Sequence, residues 1–452
     1  MTRLRRSTTL LSLLLGLLVC QQVQGEPAEG CFPAIFAFGD GQFDTGTISG
    51  TFPTILAYDH PPYGQTYFKK PSGRYSDGRL MLDFIAEALG LGRISAALQT
   101  VTSDYSSGAT WGSAFSTITS VAAGHTAGPG LFLSPFGIGV QVMQFVEFQL
   151  SVNSQVNKQA RLMAKLRGDF TDDAPSEDKK KKKKKDPKKP RYFLQEINND
   201  DEMKPLAVNM TLLELEAPTM RLPKKGSWSN ALYLIGTGGH DITNNLNNGK
   251  SIKHVEDMFP RLINTLGESL TRLNHLGARH VIVFGLEPQG CQPWLLTRIR
   301  HTADDLDWKG CLVKYNNLVQ NFNRMLRNQV ANWRQSHDGL DIYYFSQYDV
   351  KIGLLTNDTA GFKSTNTACC GVAGSTYNVN LMVPCGPPAM DPATNMTETP
   401  TVCSNPNEYL YWDGMYTTEA GNRYVIQQML TGKYFDIPFP LLTEKCVVNP
   451  LS

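Results

Sequence analysis

The stretch Ala34-Ile35-Phe36-Ala37-Phe38-Gly39-Asp40-Gly41-Gln42-Phe43-Asp44-Thr45-Gly46 decides how this chain reads. Its first part, Ala34 to Gly39, is a short apolar run closed by glycine. A half-exposed strand would alternate apolar and polar residues, so an unbroken run predicts a strand buried on both faces. Asp40 and Asp44 then fall in a tight turn, where aspartates commonly accept hydrogen bonds from nearby backbone amides. Working outward, similar runs recur at Ala231 to Ile235, His280 to Phe284 and Asp341 to Phe345. Between them, Arg79 to Leu89 sets Leu80, Met81, Phe84, Ile85, Ala88 and Leu89 at helical spacing before Gly90. Val255 to Leu276 does the same with Met258, Leu262, Ile263, Leu266, Leu270 and Leu273 before Gly277, and a third helix is expected around Tyr315 to Val330. Buried strands alternating with helices predict an α/β domain whose parallel sheet is covered on both faces.

One region breaks the rhythm. From about 157 to 226 the apolar period is lost, and Lys179 to Lys185 is an unbroken lysine run followed by Asp186-Pro187 and Lys188-Lys189-Pro190. Like charges at that density repel and bury no apolar surface, so the expectation is a disordered insertion within one domain spanning 26–452. A sharper reading makes the run an electrostatic hook for an acidic wall polysaccharide. The formal net charge of +2 argues against a general nucleic-acid or membrane-surface role.

Arg3, Arg5 and Arg6 precede an apolar run from Leu10 to Val19 and the small-residue site Val23-Gln24-Gly25, the pattern of a secretory signal peptide over residues 1–25. At about 10 residues the apolar run is well short of the roughly 20 that a membrane span needs. Beyond Cys20, the cysteines form an even set: Cys31, Cys291, Cys311, Cys369, Cys370, Cys385, Cys403 and Cys446. An even count in an exported chain favours disulfides over metal ligation; the connectivity stays open, except that adjacent Cys369 and Cys370 do not suit each other. Sequons at Asn209, Asn357 and Asn395 fit the same route. A secreted protein, extracellular or in the cell wall, is expected.

Several ordered blocks then carry a resemblance. Phe36 to Gly46 comes first, followed by Pro61-Pro62-Tyr63-Gly64 and Gly73-Arg74-Tyr75-Ser76-Asp77-Gly78-Arg79. Next are Asp104-Tyr105 to Ser116-Thr117-Ile118, with Ser134-Pro135-Phe136 and Gln144-Phe145, and then Ala231-Leu232-Tyr233 leading to Gly238-Gly239-His240-Asp241. Trp412-Asp413-Gly414-Met415-Tyr416 with Thr418-Glu419-Ala420 closes the set. In this order they resemble the plant GDSL esterase/lipase family of the SGNH-hydrolase fold, in the subgroup that includes early-nodulin and α-fucosidase proteins. The resemblance implies a three-layer α/β/α domain with a central parallel sheet, and hydrolysis of carboxylic esters without metal or cofactor.

It also implies where the chemistry should lie. Family members use a serine nucleophile in the first block and a histidine base in the last, oriented by an aspartate three residues earlier. A second-block glycine amide and a third-block asparagine help to hold the oxyanion. At these positions this chain has Gly41 for the serine, Tyr416 for the histidine and His240 for the asparagine. It has Phe115 for the glycine, with Gly108 as the alternative, and only Asp413 is retained. A hydroxyl attacks only when a base takes its proton, and glycine offers no nucleophile. Tyrosine, with a pKa near 10, is a poor base at neutral pH. The expectation is a pseudoenzyme that binds a cell-wall polysaccharide, an acyl ester or an active relative. The alternative is an ester hydrolase that keeps or has rebuilt activity, with His240 acting on water or with Asp40, Asp44, His240 and Asp413 gathered around a metal.

If the lysine run is a solvated loop, deleting residues 179–189 leaves Tm unchanged in calorimetry. If it is also a hook, the same deletion weakens retention on pectin at low salt.

Overall fold

Strand β1 (Ile35–Gly39) is buried along its whole length, as its unbroken apolar run requires. The computed structural model describes residues 31–52, 57–99, 103–119, 134–166, 221–224, 226–355, 360–440, 442, 446 and 449–452. The expected leader, the lysine run, Asn209 and Asn357 lie outside the described residues. β1 is hydrogen-bonded in parallel to β2 (Gly108–Thr110) on one side and to β3 (Leu232–Gly236) on the other. The parallel sheet continues through β4 (His280–Phe284) to β5 (Asp341–Phe345), giving the order β2-β1-β3-β4-β5.

Side chains alternate between the two faces of a strand, and here the alternation splits the core. Phe36, Phe38, Tyr233, Ile235, Val281 and Val283 enter one core, and Ile35, Ala37, Leu232, Leu234, Ile282 and Phe284 enter the other. Helices α1 (Met81–Ala88) and α7 (Glu419–Leu430) supply Leu82, Phe84, Ile85, Val425 and Ile426 to the second core. The first is covered by α2 (Ile138–Leu166), α4 (Ile252–His275) and α5 (Val313–Ser336), whose Phe145, Phe259, Leu262, Phe322 and Leu326 pack there. Two shorter helices, α3 (Gly239–Asn247) and α6 (Gln347–Leu355), start just past β3 and β5. The architecture is the expected three-layer α/β/α domain.

Two elements differ from the sequence reading. β2 has three residues, Gly108 to Thr110, too few to register as an apolar run. Helix α2 runs through Leu166, into the stretch from 157 where irregular chain was expected. Ile138, Val142, Phe145 and Val152 are its buried stripe, and just beyond Val152 the helix continues with Asn153, Ser154, Gln155, Asn157 and Lys158 exposed.

The block from Gly73 to Arg79 proves to be a tie between distant segments. Arg74 makes a paired contact with Asp83 at 2.7 and 2.8 Å, both side chains buried. Arg79 bridges Glu419 on α7 at 2.7 Å and Glu87 on α1 at 2.7 Å. Asp77 accepts from the Glu419 amide at 2.7 Å, capping the start of α7. Removing one partner of such a buried pair leaves an uncompensated charge.

The cysteines pair as Cys31–Cys446, Cys291–Cys311, Cys369–Cys403 and Cys370–Cys385. The adjacent Cys369 and Cys370 thus diverge to different partners. Cys370 and Cys385 close a loop with a sequence separation of 15, for which chain entropy in the unfolded state predicts stabilisation of about 3 kcal/mol. A Cys370→Ser/Cys385→Ser variant is expected to lose about that much in denaturant unfolding, and peptide mapping of the unreduced protein should recover the four pairs.

Candidate functional site

In an open parallel sheet, ligands bind outside the carboxyl ends of the strands where the strand order reverses. Here that point lies between β1 and β3, since the chain moves from β1 to β2 on one side and to β3 on the other. The two strand ends approach very closely. Gly39 has φ +138°, and a Cβ there would sit 1.9 Å from the Gly236 carbonyl oxygen. Only glycine meets both demands. The Asp40 amide donates to the same Gly236 oxygen at 3.0 Å, which delivers the Gly41–Phe43 turn to the crevice.

Four of the five residues singled out in the sequence meet in this crevice. Tyr416 lies directly on Gly41: a Cβ added to Gly41 would be 2.3 Å from Tyr416 Cε1 and 3.0 Å from its hydroxyl oxygen. The Tyr416 ring packs against Tyr75 at 4.7 Å and Phe115 at 5.8 Å, and Phe115 against His240 at 5.4 Å. The Tyr416 oxygen is enclosed without a well-formed hydrogen bond, and the Phe115 amide is the polar group that faces it. Burial, with Asp40, Asp413 and Asp44 nearby, drives the phenol pKa well above its ordinary value. Tyr416 is therefore a neutral packed ring at physiological pH.

Phe115 stands at φ +62°, a left-handed conformation unusual for a bulky side chain, costing of order 1–2 kcal/mol. Gly108 lies elsewhere. It pairs with Ile35 at the opposite end of β1, about 13 Å of strand from Gly39 at the usual rise per residue. The structure thus brings Phe115 into the crevice and leaves Gly108 out.

His240 sits in the first turn of α3, 8% exposed, with no hydrogen bond to its ring among the described residues. Burial lowers its pKa to about 4, so it is a neutral imidazole. Asp413, the fifth residue, is occupied. Its Oδ1 accepts from the amides of Met415 and Tyr416 at 3.1 and 2.8 Å, and the Tyr63 hydroxyl donates to Oδ2 at 2.8 Å. It caps its own turn and orients no imidazole.

The other aspartates are also committed to backbone. Asp44 accepts from the amides of Gly46, Thr47, Ile48 and Ala114 at 2.9, 2.6, 3.4 and 2.8 Å. Asp241 ties α3 to the second block through the amides of Ile118 and Thr119 at 2.7 and 3.4 Å. Among the described residues, no group of three or more His, Cys, Asp or Glu side chains is placed to hold a metal ion. Asp40, Asp44, His240 and Asp413 do not converge into such a group.

A cavity of about 70 Å³ remains beside Gly41, lined among others by Asp40, Gln42, His240, Glu287, Gln347 and Lys351. Its floor is a polar cluster that sequence reasoning missed. Lys351, 2% exposed at its side chain, pairs with Glu287 and donates to Thr417 Oγ1 at 2.9 Å. Gln292 donates to Glu287 at 2.7 Å, and Gln347 to Gln42 at 2.9 Å. Glu287 follows β4 closely and Lys351 lies on the helix after β5. Charged residues just beyond the ends of buried strands were the signal available.

A parallel sheet with a crevice at its switch point defines an open α/β fold that binds ligands at its strand ends, and the comparisons give the family. The profile of the GDSL-like lipase/acylhydrolase family matches residues 35–429. The chain is 31% identical to a GDSL esterase/lipase of Zea mays, over 91% of this chain and 88% of the relative. It is 31% identical to the GDSL esterase/lipase ENOD8 of Medicago truncatula, covering 91% and 89%. It is 30% identical to alpha-L-fucosidase 3 of Arabidopsis thaliana, covering 89% and 91%. The chain belongs to the GDSL lipase/acylhydrolase family.

Burial pushes Asp40 up to about 7, Asp44 and Asp241 up to about 6, and Asp77 and Asp413 upward from the ordinary 3.8. A carboxyl with a raised folded pKa binds its proton more tightly folded than unfolded. Its contribution is fully present below about pH 4 and is lost as pH rises through the folded value. His240, lowered from 6.5 to about 4, acts oppositely, its stabilisation being lost as pH falls from 6.5 to about 4. The carboxyls outnumber it, so Tm by calorimetry is expected to be higher at pH 5 than at pH 8. A higher Tm at pH 8 would contradict this assignment of buried acids.

Proposed function

We propose that this member of the family is an exported pseudoenzyme: it does not cleave esters by the serine route and acts by binding. The observation that carries the reading is the seating of the Tyr416 ring on Gly41, with its nearest ring carbon 2.3 Å from where a serine Cβ would stand. One residue thereby fills the nucleophile's position and supplies a phenol where a base would be needed. The loss of a nucleophile or base in comparable triads costs about 10⁶ in kcat, and Tyr63 holds the Asp413 oxygen that an imidazole N–H would need. Phe115, at its glycine-like φ, is the counterpart of the oxyanion glycine, and its ring takes the acyl space. The remaining 70 Å³ falls well below the roughly 300 Å³ at which ligand pockets begin. An acyl ester therefore suits this crevice poorly as a bound ligand, and of the candidate partners a cell-wall polysaccharide engaged elsewhere on the surface fits better.

Export is supported by the leader pattern and by the four disulfides, which persist in oxidising compartments. No helix among the described residues is long and apolar enough to cross a membrane. Asn395, in the exposed turn between Asp391 and Met396, is the described sequon open to glycosylation.

The purified protein is expected to hydrolyse aryl esters no faster than a heat-denatured control. Gly41→Ser alone should stay inert towards a fluorophosphonate probe and lose about 1–3 kcal/mol of stability, because the new side chain strikes the Tyr416 ring. Gly41→Ser with Tyr416→His removes that clash and restores a base, so this pair should label. Phe115→Gly and His240→Asn should add turnover, with gains far from additive. Labelling of the unmodified protein, or of Gly41→Ser as fast as the quadruple variant, would overturn the reading.

A further inference from the structure

A second concavity lies along α5 and α6, distinct from the crevice. This groove of about 630 Å³ is lined by Asn317, Gln320, Arg324, Arg327, Asn328 and Tyr348, among others. Most of these side chains fall on one face of α5, three or four residues apart. Its walls are amides, guanidiniums and phenols rather than the apolar surface of a lipid or drug-like pocket.

Several of the groups are uncommitted. Asn317, Arg327 and Asn328 make no side-chain hydrogen bond or ion pair among the described residues. Gln320 donates to the Tyr348 hydroxyl at 2.8 Å and Arg324 to Asn321 at 2.7 Å, which leaves further donors on both. The acid in the groove, Asp349, accepts from Ser346 Oγ at 2.7 Å, and its own amide donates back to that oxygen at 3.3 Å. Two cations therefore face one engaged carboxylate.

A large aromatic stands beside this surface. Trp308 is 80% exposed, yet its turn is rigid. Asp307 accepts from the amides of Lys309 and Cys311, both at 2.9 Å, and Cys311 is bonded to Cys291. Lys309 lies over the indole at 4.2 Å and donates to the Ile352 carbonyl on α6 at 3.2 Å, one turn beyond Tyr348. An indole held in place while mostly exposed offers a flat apolar face at little entropic cost.

We propose that the α5–α6 groove, with Trp308 at its edge, is a binding site for an acidic oligosaccharide rich in uronic acid. Amide side chains pair a donor and an acceptor in one plane and so match vicinal hydroxyls, each of which both donates and accepts. The arginines recognise carboxylates by two parallel hydrogen bonds. The indole receives the apolar C–H face of a pyranose ring. The proposal deepens the reading of the chain as a binding protein by locating the site, and it does not depend on the state of the crevice.

The test is titration of the full chain with hexagalacturonate at physiological salt, followed by calorimetry and tryptophan fluorescence. Binding is expected. Arg324→Gln/Arg327→Gln and Trp308→Ala should each weaken it about tenfold, and Trp308→Ala should abolish the fluorescence change. These residues are exposed, so Tm should hold. Gly41→Ser/Tyr416→His, and deletion of residues 179–189, should leave binding intact. No binding, or binding unchanged in the groove variants, would overturn the site. Equal binding of cellohexaose would remove the carboxylate from its recognition, and equal binding of inorganic polyphosphate would reduce it to a non-selective cationic patch. Loss on deleting the lysines would move the site there. Ester cleavage by the unmodified protein would overturn the pseudoenzyme reading while leaving these outcomes as they are.

Discussion

The crevice hangs on the close pass of Gly39 and Gly236. With a Cβ position only 1.9 Å from a carbonyl oxygen, no side chain fits between the ends of β1 and β3, and the turns that follow are delivered to one place. Gln141 fixes the same corner from α2. Its amide donates to the Gly39 carbonyl at 2.9 Å, and its oxygen accepts from the Gly39 N–H at 2.7 Å. Ser116 adds a bond to the Gly39 oxygen at 2.7 Å. The first, second and third blocks therefore meet whatever occupies the reacting positions. This explains how the frame persists while the chemistry changes: the residues that hold the corner are not those that would react.

The substitutions at the crevice are physically coupled. Glycine at 41 leaves a space that the tyrosine ring fills, and that ring forbids any larger residue at 41. Tyr416 then packs at a tilt against Tyr75, which contacts Tyr58 at 3.8 Å and Phe115 at 5.2 Å. Aromatic pairs contribute about 0.5–1.5 kcal/mol beyond their buried area. That is enough to offset the left-handed backbone of Phe115, whose ring is gripped by Tyr75, Tyr416 and His240. Reversing one position alone meets resistance from the others.

The frame was legible in the sequence because it rests on local patterns. β4 and β5 lie where their apolar runs put them, and α1 and α4 agree to within a few residues, since an amphipathic stripe and a closing glycine are visible without knowledge of neighbours, while α5 runs past its expected end at Val330 to Ser336. β2 was not legible: three residues carry no period, and it is a strand only because β1 offers an unpaired edge. At the crevice, positions could be read from the blocks, but contacts could not. Nothing in the spacing of Gly41 and Tyr416 tells that one ring covers the other, nor that Asp413 has given its oxygen to Tyr63. The Glu287–Lys351 pair was hidden for the same reason, since its partners join only when β4 and β5 lie side by side.

The sheet topology also explains how a binding role can sit beside a filled crevice. Residues following the strand ends gather on one edge of the sheet, above β1 and β3 at the crevice and above β5 at the groove, where Tyr344 lies near the end of the strand and Ser346 follows it. Asn323 joins the two regions. From α5 it accepts from the Leu286 amide at 2.7 Å and donates to the Leu286 carbonyl at 2.8 Å, holding the chain just before Glu287. Loops at a sheet edge are built on a rigid scaffold and tolerate change in what they present. Filling one concavity with Tyr416 costs the fold nothing that Asn323 and the strands do not already secure, and the polar face of α5 keeps its donors turned to solvent.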